Sequence, residues 1–239
     1  MNKFFISLIC ILSLGLSSCM RPSGNMRFCT DVPAIVGYDL TIGQPILITV
    51  DGTFVVPDLR EFFLYAVVAE GDAVLATFLY DEHQEPIDGY QTVLEFDCYK
   101  VGITTAVEES AEVDIADCAP IEDAYPFGLI FHEGKLVLYM AFHQETTFRK
   151  YRYEITYDID ETTTVPTLSI RSKTDGDEYA TPVGYQTPYV FEIYDYIMSQ
   201  EKDEKNQVSV NVRYRKGVDS SGNEIWAYCA ENPLPIPVP

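Results

Sequence analysis

Proton transfer near neutral pH calls first on imidazole, and the chain has three: His83, His132 and His143. His83 stands in the polar run Asp81-Glu82-His83-Gln84-Glu85, His132 comes at a hairpin turn, and His143 ends an apolar stretch. No G-x-S-x-G elbow supplies a nucleophile beside any of them, so a Ser-His-Asp set is not expected. Paired carboxylates are the other route to hydrolysis, because a retaining glycosidase holds an acid and a nucleophile about 5 Å apart. Asp158 with Asp160, and Glu192 with Asp195, have the spacing to inspect. Alternation sends Asp158 and Asp160 to a wet face with Arg152 and Glu154, however, and 37 acidic residues make chance pairs unavoidable. Asp175-Gly176-Asp177-Glu178 gathers oxygens around a glycine as a Ca²⁺ loop would, but no later ligand follows in register. The expectation is a chain with no catalytic residue, no metal and no cofactor.

Aromatic rings are the remaining chemical resource: 17 Tyr, 13 Phe and one Trp. Exposed rings stack on sugar faces, and Tyr185, Tyr189, Tyr194, Tyr196 and Trp226 are the candidate ligand-binding set. Tyr is equally a strand-filling residue, and Tyr151, Tyr153 and Tyr157 alternate as a core face would.

Six cysteines occur, at 10, 19, 29, 98, 118 and 229, and none forms a CxxC, which argues against zinc or redox chemistry. Met1-Asn2-Lys3 is a basic start, Phe4 to Leu16 is apolar, and Leu16-Ser17-Ser18-Cys19 follows. The run is too short to span a bilayer and reads as a signal peptide. Leu-Ser-Ser-Cys is similar to the lipobox of bacterial lipoproteins, which implies removal of residues 1–18 and lipid on Cys19. Cys10 then leaves with the signal. Cys29, Cys98, Cys118 and Cys229 remain for disulfides in an oxidising compartment, with three pairings open. If each domain closes its own bridge, these are Cys29 with Cys98 and Cys118 with Cys229. Buried thiols are the alternative.

Sixteen Lys and Arg against 37 Asp and Glu give a formal charge of −21. Such a surface repels nucleic acid and anionic headgroups alike. Hydrophobic residues at 47% are enough for a packed core.

The elements that must carry these residues are strands. Tyr151, Tyr153, Ile155, Tyr157 and Ile159 alternate with polar residues, as do Val208, Val210, Val212 and Tyr214. Further strands are expected at 45–50, 53–56, 73–80, 92–103, 135–143, 167–171, 189–197 and 224–229. Asp51-Gly52, Asp88-Gly89, Glu133-Gly134, Asp175-Gly176 and Ser221-Gly222 supply turns between them. Residues 59–69 fit either a helix capped by Asp58 or a buried strand. Glu108 to Pro126 holds seven acids and no base, and places a domain boundary near residue 112. The resulting organisation is a signal peptide at 1–18, a lipidated tether at 19–33, a β-barrel at 34–111, a β-sandwich at 112–231 and a solvated Pro-rich tail at 232–239.

The pattern as a whole resembles the NigD-like lipoproteins of Gram-negative gut and oral anaerobes. The residues that carry the resemblance are Gly71-Asp72-Ala-Val-Leu-Ala-Thr-Phe78, Leu136 to His143, Thr167 to Asp177 and Tyr189-Val-Phe-Glu-Ile193. Ala73 stands where the family has Arg. The resemblance implies an all-β chain, with an N-terminal OB-like barrel followed by an immunoglobulin-like sandwich. It also implies an outer-membrane lipoprotein, and it gives no catalytic residue to carry over. The expected function is a non-enzymatic accessory binding or assembly module, anchored through its lipid and meeting an envelope protein or a glycan. A carbohydrate-binding sandwich face and a bacteriocin-associated immunity or secretion role are the alternatives. Met20-Arg21-Pro22-Ser23 lacks the acids that resemble a surface-export tag, which favours the periplasmic side.

Overall fold

The computed structural model describes residues 25–57, 59–64, 67–109, 118–143, 149–157, 165–179 and 187–238. Two units divide the chain at Gly102/Ile103.

The first unit contains β1 (Met26–Asp39), β2 (Gln44–Thr49), β3 (Thr53–Val55), helix α1 (Leu59–Leu64), β4 (Ala73–Asp81) and β5 (Gln91–Val101). The strands form a closed barrel in the order β1-β2-β3-β5-β4. Closure comes from β1, which pairs antiparallel with β2 along its second half and with β4 along most of its length. A bulge between Cys29 and Val32 bends β1, and Asp31 takes φ +51° there. Ala34, Val36, Leu47, Phe54, Val74, Ala76 and Phe78 fill the interior, with Leu59 of α1 joining them. Asp51-Gly52 makes the expected hairpin, its Thr49 N–H donating to Gly52 O at 2.9 Å. Of the two readings open for 59–69, the helix is realised over 59–64.

The second unit contains β6 (Ile103–Thr105), β7 (Val107–Glu108), β8 (Cys118–Ala119), β9 (Asp123–His132), β10 (Lys135–His143), β11 (Arg149–Tyr157) and β12 (Thr167–Tyr179). It continues with β13 (Thr187–Glu192), α2 (Tyr194–Met198), β14 (Gln207–Val218), β15 (Glu224–Tyr228) and β16 (Leu234–Pro237). One sheet runs β6-β13-β10-β9 and the other β15-β14-β12-β11-β7, with β16 on β14 and β8 on β12. Their inner faces share one core: Leu136, Leu138, Met140, Phe142 and Phe191 meet Tyr153, Ile155, Leu168, Ile170, Val210 and Val212. Phe142 stacks on Tyr153 with ring centroids 3.9 Å apart. Glu133 and Gly134 both adopt positive φ, +49° and +77°, and close the β9–β10 hairpin.

The chain is all-β, as its alternation demands, yet several expected boundaries move. The unit boundary falls ten residues before residue 112, because β6 and β7 pair in parallel with β13 and β11 of the second unit. The barrel begins at Met26, so half of the expected tether is strand. Residues 194–197, expected to extend a strand, turn into α2. Asp175-Gly176 is not a connection between strands: it lies inside β12, where 149↔179 and 151↔174 bracket a bulge. The Pro-rich end is packed rather than solvated. Its prolines alternate with Leu234, Ile236 and Val238, so β16 adds to β14 with Ile236 and Val238 in the core.

Candidate functional site

Period-two alternation along β11, β12 and β14 turns one set of residues away from the core. That set is Arg152, Glu154 and Thr156 on β11, Ser169, Arg171 and Lys173 on β12, and Asn211, Arg213 and Arg215 on β14. Trp226 and Tyr228 of β15 stand opposite Arg215 and Arg213. Among the described residues this side collects five cations, Arg152, Arg171, Lys173, Arg213 and Arg215, with Glu109, Glu154 and Glu224.

Arg171 is its centre and is 3% exposed. Its Nε and Nη2 donate to the two oxygens of Glu224 at 2.9 and 2.6 Å, a bidentate fork. Nη2 also donates to Glu109 at 2.7 Å, and Nη1 to Thr156 Oγ1 at 3.2 Å. Arg215, 4% exposed, donates from Nη1 to the Cys118 carbonyl at 2.9 Å. Its Nε is 3.0 Å from Glu224 Oε1, close enough for an ion pair but not aligned as a hydrogen bond. Burial pushes the Glu224 carboxyl up, but hydrogen bonds and charge from Arg171, with Arg215 and Arg213, outweigh it and leave its pKa below the ordinary value. Burial likewise opposes the charge on Arg171, and the two glutamates more than offset it. Two guanidiniums lie over the single tryptophan, Arg213 at 4.4 Å and Arg171 at 4.7 Å from the ring centroid. Arg213 Nε donates to the buried Ser169 hydroxyl at 2.8 Å.

The aromatic residues singled out in the sequence are scattered. Tyr196 is buried and stacks on Tyr157 at 4.4 Å, so it presents no face to a ligand. Tyr189 packs among Tyr153, Phe142 and Phe191, and Tyr194 stacks on Phe131. Trp226 carries the guanidiniums, and Tyr185 lies outside the described residues.

His83 is exposed, His132 Nε2 is 3.8 Å from Glu133, and His143 Nδ1 is 2.8 Å from Glu122. Glu192 is half-buried and Asp195 exposed, while Asp158, Asp160 and Cys19 lie outside the described residues.

Neither expected disulfide pair forms: Cys98, Cys118 and Cys229 keep their thiols. Cys29 and Cys98 stand on β1 and β5 with β4 between them, which sets the strands about 10 Å apart, beyond a disulfide's reach of about 7 Å. Cys118 faces Lys173, whereas Cys229 bonds Val212, the partner of Leu168, five residues or roughly 16 Å along β12. Burial pushes the Cys98 thiol up to about 11 and the Cys229 thiol to about 12.

The arginine-tryptophan cluster was not singled out from the sequence. Its signal was present, since Arg171, Arg213 and Arg215 occupy the polar phase of two strands in a chain poor in cations, but that phase reads as plain wet surface.

Fold and site together define a two-unit, all-β protein with a charged outer sheet face. No family model and no curated protein matches the chain. Among solved structures it is similar to an uncharacterized protein from Parabacteroides merdae, with 17% identity and TM-score 0.60 over 82% of this chain and 94% of that one. A protein of unknown function, DUF1344, from Bacteroides vulgatus shares 14% identity at TM-score 0.51, covering 87% and 91%. The neighbours also include a NigD-like immunity protein from Bacteroides caccae, 13% identical at TM-score 0.42, covering 87% and 93%. The first two carry the likeness of fold.

Proposed function

We propose that the chain is a NigD-like lipoprotein of the cell envelope, held at the periplasmic face of the outer membrane by lipid on Cys19 and acting by binding rather than catalysis. The observation that carries this reading is Leu16-Ser17-Ser18-Cys19 directly after a basic start and a short apolar run. Several acyl chains on one residue hold a protein far more firmly than a single myristoyl group does. The barrel is read as OB-like: its five strands run β1-β2-β3-β5-β4 with α1 between β3 and β4. The second unit is read as an immunoglobulin-like sandwich on its two sheets and single core. Its partner is an envelope protein or a glycan; nucleic acid is repelled by the charge.

Growth with an alkyne-bearing fatty acid and mass analysis of the N-terminal peptide tests the anchor. The expected product begins at Cys19, carries acyl chains and partitions with membranes. An unmodified Cys19 in protein recovered from the envelope overturns the reading.

A further inference from the structure

We propose that Arg213 and Tyr228, at the β14–β15 edge of the charged sheet face, bind a carboxylated sugar. This rests on the binding-module reading but is independent of the lipid anchor. Arg152, Arg171 and Arg215 each have a glutamate within ion-pair distance. Arg213 has none among the described residues. Its guanidinium is nonetheless fixed, by the Nε bond to the fully buried Ser169 and by the Trp226 ring 4.4 Å away. Nη1 and Nη2 are left without a protein acceptor among the described residues. Two parallel N–H donors on a rotationally fixed guanidinium are the geometry that takes a carboxylate in a fork.

Tyr228 supplies the second half of the site. It pairs directly with Arg213 across the ladder, so both side chains rise from the same face at cross-strand distance. Tyr228 is 56% exposed, unlike the core tyrosines, and offers a free ring to the C–H face of a pyranose. Asn211, two residues before Arg213 on the same face, brings an amide for ring hydroxyls. Charge narrows the ligand: a fixed arginine with no ion-pair partner among the described residues attracts one carboxylate, while −21 overall repels polyphosphates and densely charged polymers. A lightly charged acidic saccharide meets both conditions.

Trp226 is the only tryptophan and lies against Arg213, so its emission reports the site directly. Full-length protein in detergent is titrated with digalacturonic acid, with neutral galactobiose and with acetate, and the same titrations are followed by calorimetry. A saturable change with digalacturonic acid alone is expected. Arg213→Gln should weaken it about tenfold or more, the scale of losing a charge-assisted hydrogen bond. Tyr228→Ala, a change at an exposed position that leaves the fold intact, should weaken it about threefold or more. Absence of binding, an equal response to acetate, or unchanged affinity in both variants overturns the proposal. Acylation of Cys19 is read separately, so failure of the sugar site and failure of the anchor are distinguishable.

Discussion

Arg171 shows what a single residue does on a strand face that would otherwise be ordinary surface. It consumes Nε, Nη1 and Nη2 on Glu224, Thr156 and Glu109, and thereby draws two carboxylates from distant parts of the chain onto β12. Removing one partner of a buried pair leaves charge uncompensated. Glu224→Gln should therefore cost about 3 kcal/mol in urea denaturation at pH 7, the low end for such pairs because Glu109 remains. The sign with pH follows from the lowered Glu224 pKa: the carboxylate stabilises the fold above its ordinary pKa, and that contribution is lost as pH falls through the lower folded value. The gap between wild type and Glu224→Gln should narrow in acid. A gap constant from pH 7 to the acid limit would count against the ion pair as its source.

At the scale of elements, alternation made most strands legible, because one wet face and one dry face leave a period of two in the residue types. β11 and β14 were read this way, whereas β10 is a continuous apolar run buried on both faces. What stayed hidden were elements whose local chemistry argues against them. The acids around β9 imitate a linker, and the aromatic run after β13 continues the look of a strand while the backbone turns into α2. The prolines of β16 suggest a solvated polyproline helix, although Ile236 and Val238 already mark a buried phase. Proline is tolerated there because it lies on an added strand at positions that need no ladder N–H. Ile236→Ala should cost about 2–5 kcal/mol, and exposed Pro235→Ala little, by thermal melting. Equal effects would show that the tail is not packed.

For the whole molecule, the sequence conveyed two β units but misplaced their border. Composition marks where charge accumulates, whereas pairing decides which unit owns a strand, and β6 and β7 pair with strands far downstream. A fragment starting at Ile103 should therefore melt at a higher temperature than one starting at residue 113. If the shorter fragment is as stable, β6 and β7 do not belong to the second unit's fold. The candidate site was hidden for a similar reason. Arg213 and Tyr228 are adjacent only through the β14–β15 register, which a bulge between Arg215 and Gly217 resets. The same parallel pairing sets an order in time. The end of β6 and the start of β13 are 187 − 105 = 82 residues apart. A chain threaded N-terminus first across a membrane delivers all five barrel strands before that partner arrives. The barrel can close while the second unit still waits for its downstream strands, so the exported chain folds from its N-terminal end forward.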